Sequence, residues 1–138
     1  MKSLIINVFA CLTIAVSGNS IMAQTAELTI VVKDIKELKG KILVAVKDSK
    51  NPEAMVYDMA PVEQKESVVF TLKDVPAGKV DISLFQDLNE NFKLDMDEQN
   101  IPLEPCYNKE KFNVKENDTN KLVVRLINVK ELMMQNPN

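Results

Sequence analysis

Between Leu28 and Leu126 apolar and polar side chains alternate with a period of two. That period constrains the fold most, because successive side chains on a β-strand leave opposite faces of the chain. Leu28, Ile30 and Val32 share one face, with Thr29, Val31 and Lys33 on the other. The pattern repeats at Ile42, Val44 and Val46, at Val68, Phe70 and Leu72, and at Val80, Ile82 and Leu84. It returns more briefly at Phe112 and Val114, and again at Leu122, Val124 and Leu126. Turn chemistry separates these runs, at Asn51-Pro52, at Asp74-Val75-Pro76-Ala77-Gly78 and at Asn117-Asp118-Thr119-Asn120. The pattern predicts an all-β fold, an antiparallel β-sandwich of about six or seven strands. One stretch breaks it. Around residues 52–60 we expect an irregular or short helical connection, with Met55, Val56 and Met59 covering an open edge of the core and Pro61 ending it.

At 138 residues, with 46% hydrophobic and 27% charged side chains, the chain has material for one packed domain. Residues 1–23 read as a signal peptide. Lys2 gives a positive start, Leu4–Val16 an apolar run, and Ala23 a small residue before the expected cut. The run is shorter than the ~20 residues a membrane helix needs. We therefore expect an exported protein, periplasmic or extracellular, whose mature chain is a single β-sandwich over 24–138 with no membrane span. Export removes Cys11 and leaves Cys106 without an internal disulfide partner. The chain has no histidine, which excludes His-based nucleophilic catalysis and the commonest zinc ligand. A net charge of -3 argues against nucleic acid as a partner.

The chemical signal lies after the cleanest strand, in Asp87-Leu88-Asn89-Glu90-Asn91-Phe92-Lys93-Leu94-Asp95-Met96-Asp97-Glu98. Calcium takes six to eight oxygens, and a loop supplies them by offering a donor at every second residue. Counted as an EF-hand loop, Asp87, Asn89 and Asn91 fill positions 1, 3 and 5, and Lys93 gives a backbone carbonyl at 7. Asp95 stands at 9 and Glu98 at 12, with Asp97 the alternative to Glu98. Phe92 replaces the glycine of position 6, at a cost of about 1–2 kcal/mol if it adopts left-handed geometry. The expected ligand is weakly held Ca2+, in the range of ~10⁻⁴–10⁻³ M. The competing reading is a solvated turn, since Asp and Asn also cap turns.

Several stretches resemble a bacterial exported family, domain of unknown function 2141. They are Leu72-Lys73-Asp74-Val75-Pro76-Ala77-Gly78, Ile82-Ser83-Leu84-Phe85-Gln86-Asp87-Leu88-Asn89-Glu90-Asn91, Lys93-Leu94-Asp95 and Ile101-Pro102-Leu103-Glu104. The resemblance implies a prealbumin-like or carboxypeptidase-regulatory-like β-sandwich and export. It implies no activity. Phe92 and Asn100 stand where the family pattern has glycine.

Three functions follow in order. The first is a non-enzymatic module with a calcium loop and a binding or structural role toward an unidentified protein or cell-envelope partner. The second is a metal-free partner-binding module. The third is a carboxylate-based hydrolase using residues such as Asp87, Asp95, Asp97, Glu98 and Glu104. With 5% aromatics and no tryptophan, the chain has little material for a sugar cleft.

Overall fold

The computed structural model describes residues 25–135. The expected signal segment, 1–23, and its cut after Ala23 lie outside the described residues. Seven strands follow in order: β1 (Thr25–Lys33), β2 (Lys41–Asp48), β3 (Met55–Pro61), β4 (Val68–Pro76), β5 (Gly78–Asp87), β6 (Cys106–Val114) and β7 (Thr119–Arg125). A helix, α1 (Val129–Gln135), ends the described residues. No helix among the described residues is long and apolar enough to cross a membrane.

The strands form two sheets, β4-β1-β7 and β3-β2-β5-β6. The alternating residues meet between them. Leu28, Ile30, Val32, Ile42, Val44, Val46, Phe70, Leu72, Val80, Ile82 and Leu84 are all buried there. Burying an aliphatic or Phe side chain fully is worth about 1.5–3 kcal/mol, so these rows hold the two layers together. Pro76-Ala77-Gly78 is a corner between the layers, because β4 lies in one sheet and β5 in the other. Gly78 takes a φ of 105 there, which a side chain would resist.

The expected all-β sandwich of seven strands, mostly antiparallel, is what the chain forms, and two details of it differ. The connection around residues 52–60 is not helical: Asn51–Ala54 turns, and Met55–Pro61 is a strand paired antiparallel with β2 along its whole length. As an edge strand, β3 carries Met55, Tyr57 and Met59 outward and Val56 and Ala60 toward the core. The outer face is apolar, while the inner one carries Asp58 between Val56 and Ala60, and this erases the period-two signal. The sandwich is also not wholly antiparallel. β7 runs parallel to β1, with Glu27 opposite Thr119 and Lys33 opposite Arg125. Asn120, buried at the start of β7, accepts from Lys115 N–H and donates to the carbonyls of Glu27 and Lys115, which fixes this junction.

The root of the β5–β6 connection is clamped from the β1–β2 connection. Gly40, with φ 71, lies so close to Asp87 that an added Cβ would stand 2.4 Å from the Asp87 carbonyl oxygen. Beside it, the buried Gln86 side chain donates to the carbonyls of Glu37 and Lys39, at 2.6 and 2.9 Å.

Candidate functional site

β5 ends on Asp87, whose side chain turns into the loop and is fully buried. Its two oxygens accept from the backbone N–H groups of Asn91 (3.2 Å) and Phe92 (2.7 Å). One carboxylate thereby ties the fifth and sixth residues of the loop to the first. To aim its N–H at Asp87, Phe92 adopts φ 64, the left-handed conformation glycine would take without cost. The Phe92 ring stays 57% exposed, with the Lys41 ammonium 4.9 Å from its centroid. Lys41 also pairs with Glu90 at 3.6 Å.

The next turn winds around asparagines. Asn89 Oδ1 accepts from Asn91 N–H (3.3 Å) and Asn91 Oδ1 from Lys93 N–H (3.1 Å). Both side-chain amides then donate to Asp95, Asn89 to Oδ2 at 2.7 Å and Asn91 to Oδ1 at 2.9 Å. These donors, Asn91 first, hold the Asp95 carboxyl below the ordinary 3.8.

The structure therefore brings Asn89, Asn91 and Asp95 together, with Asp87 bound to the same turn through its amides. Lys93 is exposed within the turn. Glu98 is not drawn in. After Asp95 the chain makes a small hairpin, with Leu103 N–H donating to Asp95 C=O and Asp97 N–H to Ile101 C=O. Glu98 sits exposed at its tip. Asp97, the alternative twelfth ligand, is engaged elsewhere. It accepts from Lys130 Nζ at 2.8 Å and from the amides of Gln99 and Ile101. Chiefly the lysine, then these amides, lower its pKa. Among the described residues no three His, Cys, Asp or Glu side chains converge on one point.

Sequence reasoning gave Glu104 no place in the loop. It is buried, and its carboxylate accepts from Leu88 N–H (Oε2, 2.8 Å) and from Asp95 N–H (Oε1, 3.2 Å). It thus ties the start of the turn to its end across sixteen residues of chain. Its signal was its place in Ile101-Pro102-Leu103-Glu104, a polar residue closing an apolar, proline-bearing stretch.

A donor set of two carboxylates, two amide oxygens and a carbonyl suits a hard cation such as calcium. In the described conformation the amide NH2 groups occupy the positive role beside Asp95. For Asn89 and Asn91 to ligate, each must present its oxygen instead of its nitrogen, and a half-turn of the amide does this only by giving up the bonds Oδ1 now accepts from the N–H groups of Asn91 and Lys93. The residues fit the ion on chemistry, at the cost of that rearrangement.

Fold and loop together define an all-β sandwich that presents an Asp/Asn-wound turn from the end of a central strand. The chain belongs to the bacterial family described as uncharacterized protein conserved in bacteria (DUF2141), which matches residues 30–112, from β1 to β6 with the whole loop. No curated protein and no solved structure matches it.

Proposed function

We propose that this is an exported, non-enzymatic β-sandwich module whose β5–β6 loop binds calcium weakly and so fixes a surface used for binding or structure. Asp87, Asn89, Asn91, the Lys93 carbonyl and Asp95 supply the oxygens. Glu98 contributes only if the hairpin at 95–103 folds back, and water completes the shell otherwise. One observation carries the reading. Phe92 takes the left-handed φ of 64 while its N–H donates to the Asp87 carboxylate, so the sixth residue of the loop has the turn conformation for which an EF-hand loop keeps a glycine.

The test is a thermal melt of the purified protein in EDTA, in calcium and in magnesium. At ~10 mM calcium, about 100 times a dissociation constant of ~10⁻⁴ M, the bound state gains ~2.7 kcal/mol, or about 10 °C. Asp95→Ala should remove the calcium-specific rise. Equal melts in EDTA and calcium would refute the reading. They would favour a metal-free partner-binding module, which the loop's self-contained hydrogen bonding also supports: no buried side-chain N or O among the described residues lacks a partner.

A further inference from the structure

A contact from the far end of the domain holds the last part of the loop in place. Cys106 and Ile127 exchange two backbone bonds, Cys106 N–H to Ile127 C=O at 3.0 Å and Ile127 N–H to Cys106 C=O at 2.8 Å. They seat the segment before α1 against the start of β6. Asn128 caps the helix by accepting from Glu131 N–H. Lys130, in the first turn, then reaches the hairpin at 95–103. Its Nζ lies 2.8 Å from Asp97 Oδ2, across 33 residues of chain. The other Asp97 oxygen accepts from the amides of Gln99 and Ile101. One carboxylate thus carries both the turn of the hairpin and its tie to α1. The pair is partly sheltered, with the Asp97 side chain 11% exposed and that of Lys130 45%.

We propose that Lys130 is a latch that opposes calcium, an inference that rests on calcium binding by the loop: the ion pair keeps the hairpin in the form that leaves Glu98 outside the site. Glu98 follows Asp95 by three residues. Its carboxylate reaches the Asn89–Asn91–Asp95 cluster only when residues 96–98 leave the hairpin. That movement breaks the Met96–Pro102 bridge and the bond from Asp97 N–H to Ile101 C=O, and it carries Asp97 off Lys130. The ion pair therefore belongs to one form of the loop. A contact made in one of two states biases the equilibrium toward that state, and a ligand that favours the other works against it. The coupling is reciprocal, so calcium that recruits Glu98 also frees the first turn of α1. The helix buries none of its own side chains, so its placement leans on this pair.

Two substitutions of opposite charge separate a latch from plain electrostatics. Lys130→Met removes a cation and Asp97→Asn an anion. Through charge alone the first would tighten a calcium site and the second would weaken it. Through the latch both tighten it, because each breaks the pair. Asparagine at 97 also keeps an oxygen for the Gln99 and Ile101 amides, so the turn of the hairpin survives.

Calcium titration calorimetry on the purified protein, paired with amide hydrogen exchange, tests this. Lys130→Met and Asp97→Asn should each bind calcium about two- to fivefold tighter than wild type, the range a largely exposed ion pair supplies. Lys130→Arg, which keeps the pair, should match wild type. Glu98→Gln added to Lys130→Met should cancel the gain. In EDTA the Gln99 and Ile101 amides should exchange faster in Lys130→Met than in wild type, and calcium should speed them in wild type. A wild type that binds calcium while Lys130→Met binds it equally would overturn the latch and leave the site standing. So would weaker binding by Asp97→Asn, or a gain that survives Glu98→Gln. No calcium binding by wild type or any variant would overturn the site itself, and the latch with it.

Discussion

Replacing Glu104 by alanine removes the clasp between the two ends of the metal-candidate turn. Its carboxylate holds two backbone N–H groups, Leu88 at 2.8 Å and Asp95 at 3.2 Å, in a site where the side chain is only 4% exposed. A hydrogen bond to a charged group contributes about 1.5–3 kcal/mol, and a buried N–H left without a partner costs about 1–3 kcal/mol. The longer Asp95 bond belongs at the low end. Relief of the buried charge, and water entering the space, offset part of the loss. The net is about 3 kcal/mol, or a fall in melting temperature of about 10 °C for a domain of this size. Glu104→Gln keeps one acceptor and turns its NH2 toward the other N–H, so about half of that loss is expected. The assay is a circular-dichroism melt of wild type and both variants, paired with amide hydrogen exchange. The amides of Leu88 and Asp95 should lose protection, while those of β2, such as Val44, keep it at low denaturant. An alanine variant within ~1 kcal/mol of wild type, or unchanged exchange at Leu88 and Asp95, would refute the clasp.

Gly40→Ala should destabilise more sharply than its size suggests. The new Cβ meets the Asp87 carbonyl at 2.4 Å and sits at φ 71. Left-handed strain of about 1–2 kcal/mol and overpacking of about 1–3 kcal/mol add, which a urea midpoint at unchanged slope would report. The Asp95 carboxyl titrates below its ordinary 3.8 because Asn91 and Asn89 favour its charged form. A depressed folded value stabilises above the unfolded value and is lost as pH falls through the folded one. The Asn89 and Asn91 side-chain amide signals should therefore hold their positions from neutral pH down to about 4 and shift below it; a midpoint above 4 by NMR would contradict the assignment.

Most of the core was legible because it obeys one rule. Leu28, Ile30, Val32, Ile42, Val44, Val46, Val80, Ile82 and Leu84 are buried where alternation places them. β3 was not, because Met55, Tyr57 and Met59 make its outer face apolar while Asp58 interrupts its inner one. β6 was read only at Phe112 and Val114. Its other residues, Cys106–Lys111, lie on a sheet edge where the outer face is wet and polar. α1 had a visible start in Asn128 and Glu131, an N-cap and third-position pair. Asn128 Oδ1 accepts from Glu131 N–H at 3.0 Å. Its residues are too few, and none is buried, so no periodicity revealed it. In the loop, spacing brought out Asn89, Asn91 and Asp95, which meet. It also offered Glu98, which local count favours and the hairpin at 95–103 carries away. Glu104 lay beyond reach of a count along the loop, since it acts by folding back from the far side of that hairpin.

The parallel pairing of β1 with β7 has a consequence for how the molecule is assembled. β1 is the central strand of its sheet, yet one of its two neighbours is the last strand of the domain. A chain that emerges amino-terminus first must carry one edge of β1 unsatisfied until nearly all the rest has appeared. Loop closure over that span is entropically late, and contacts of such high sequence separation slow folding. A chain cut before Thr119 retains most of its core residues but leaves the Glu27–Lys33 edge open to any other extended chain. Completion of the carboxy-terminal strand, rather than formation of the core, is the step after which the central strand β1 no longer offers an open edge.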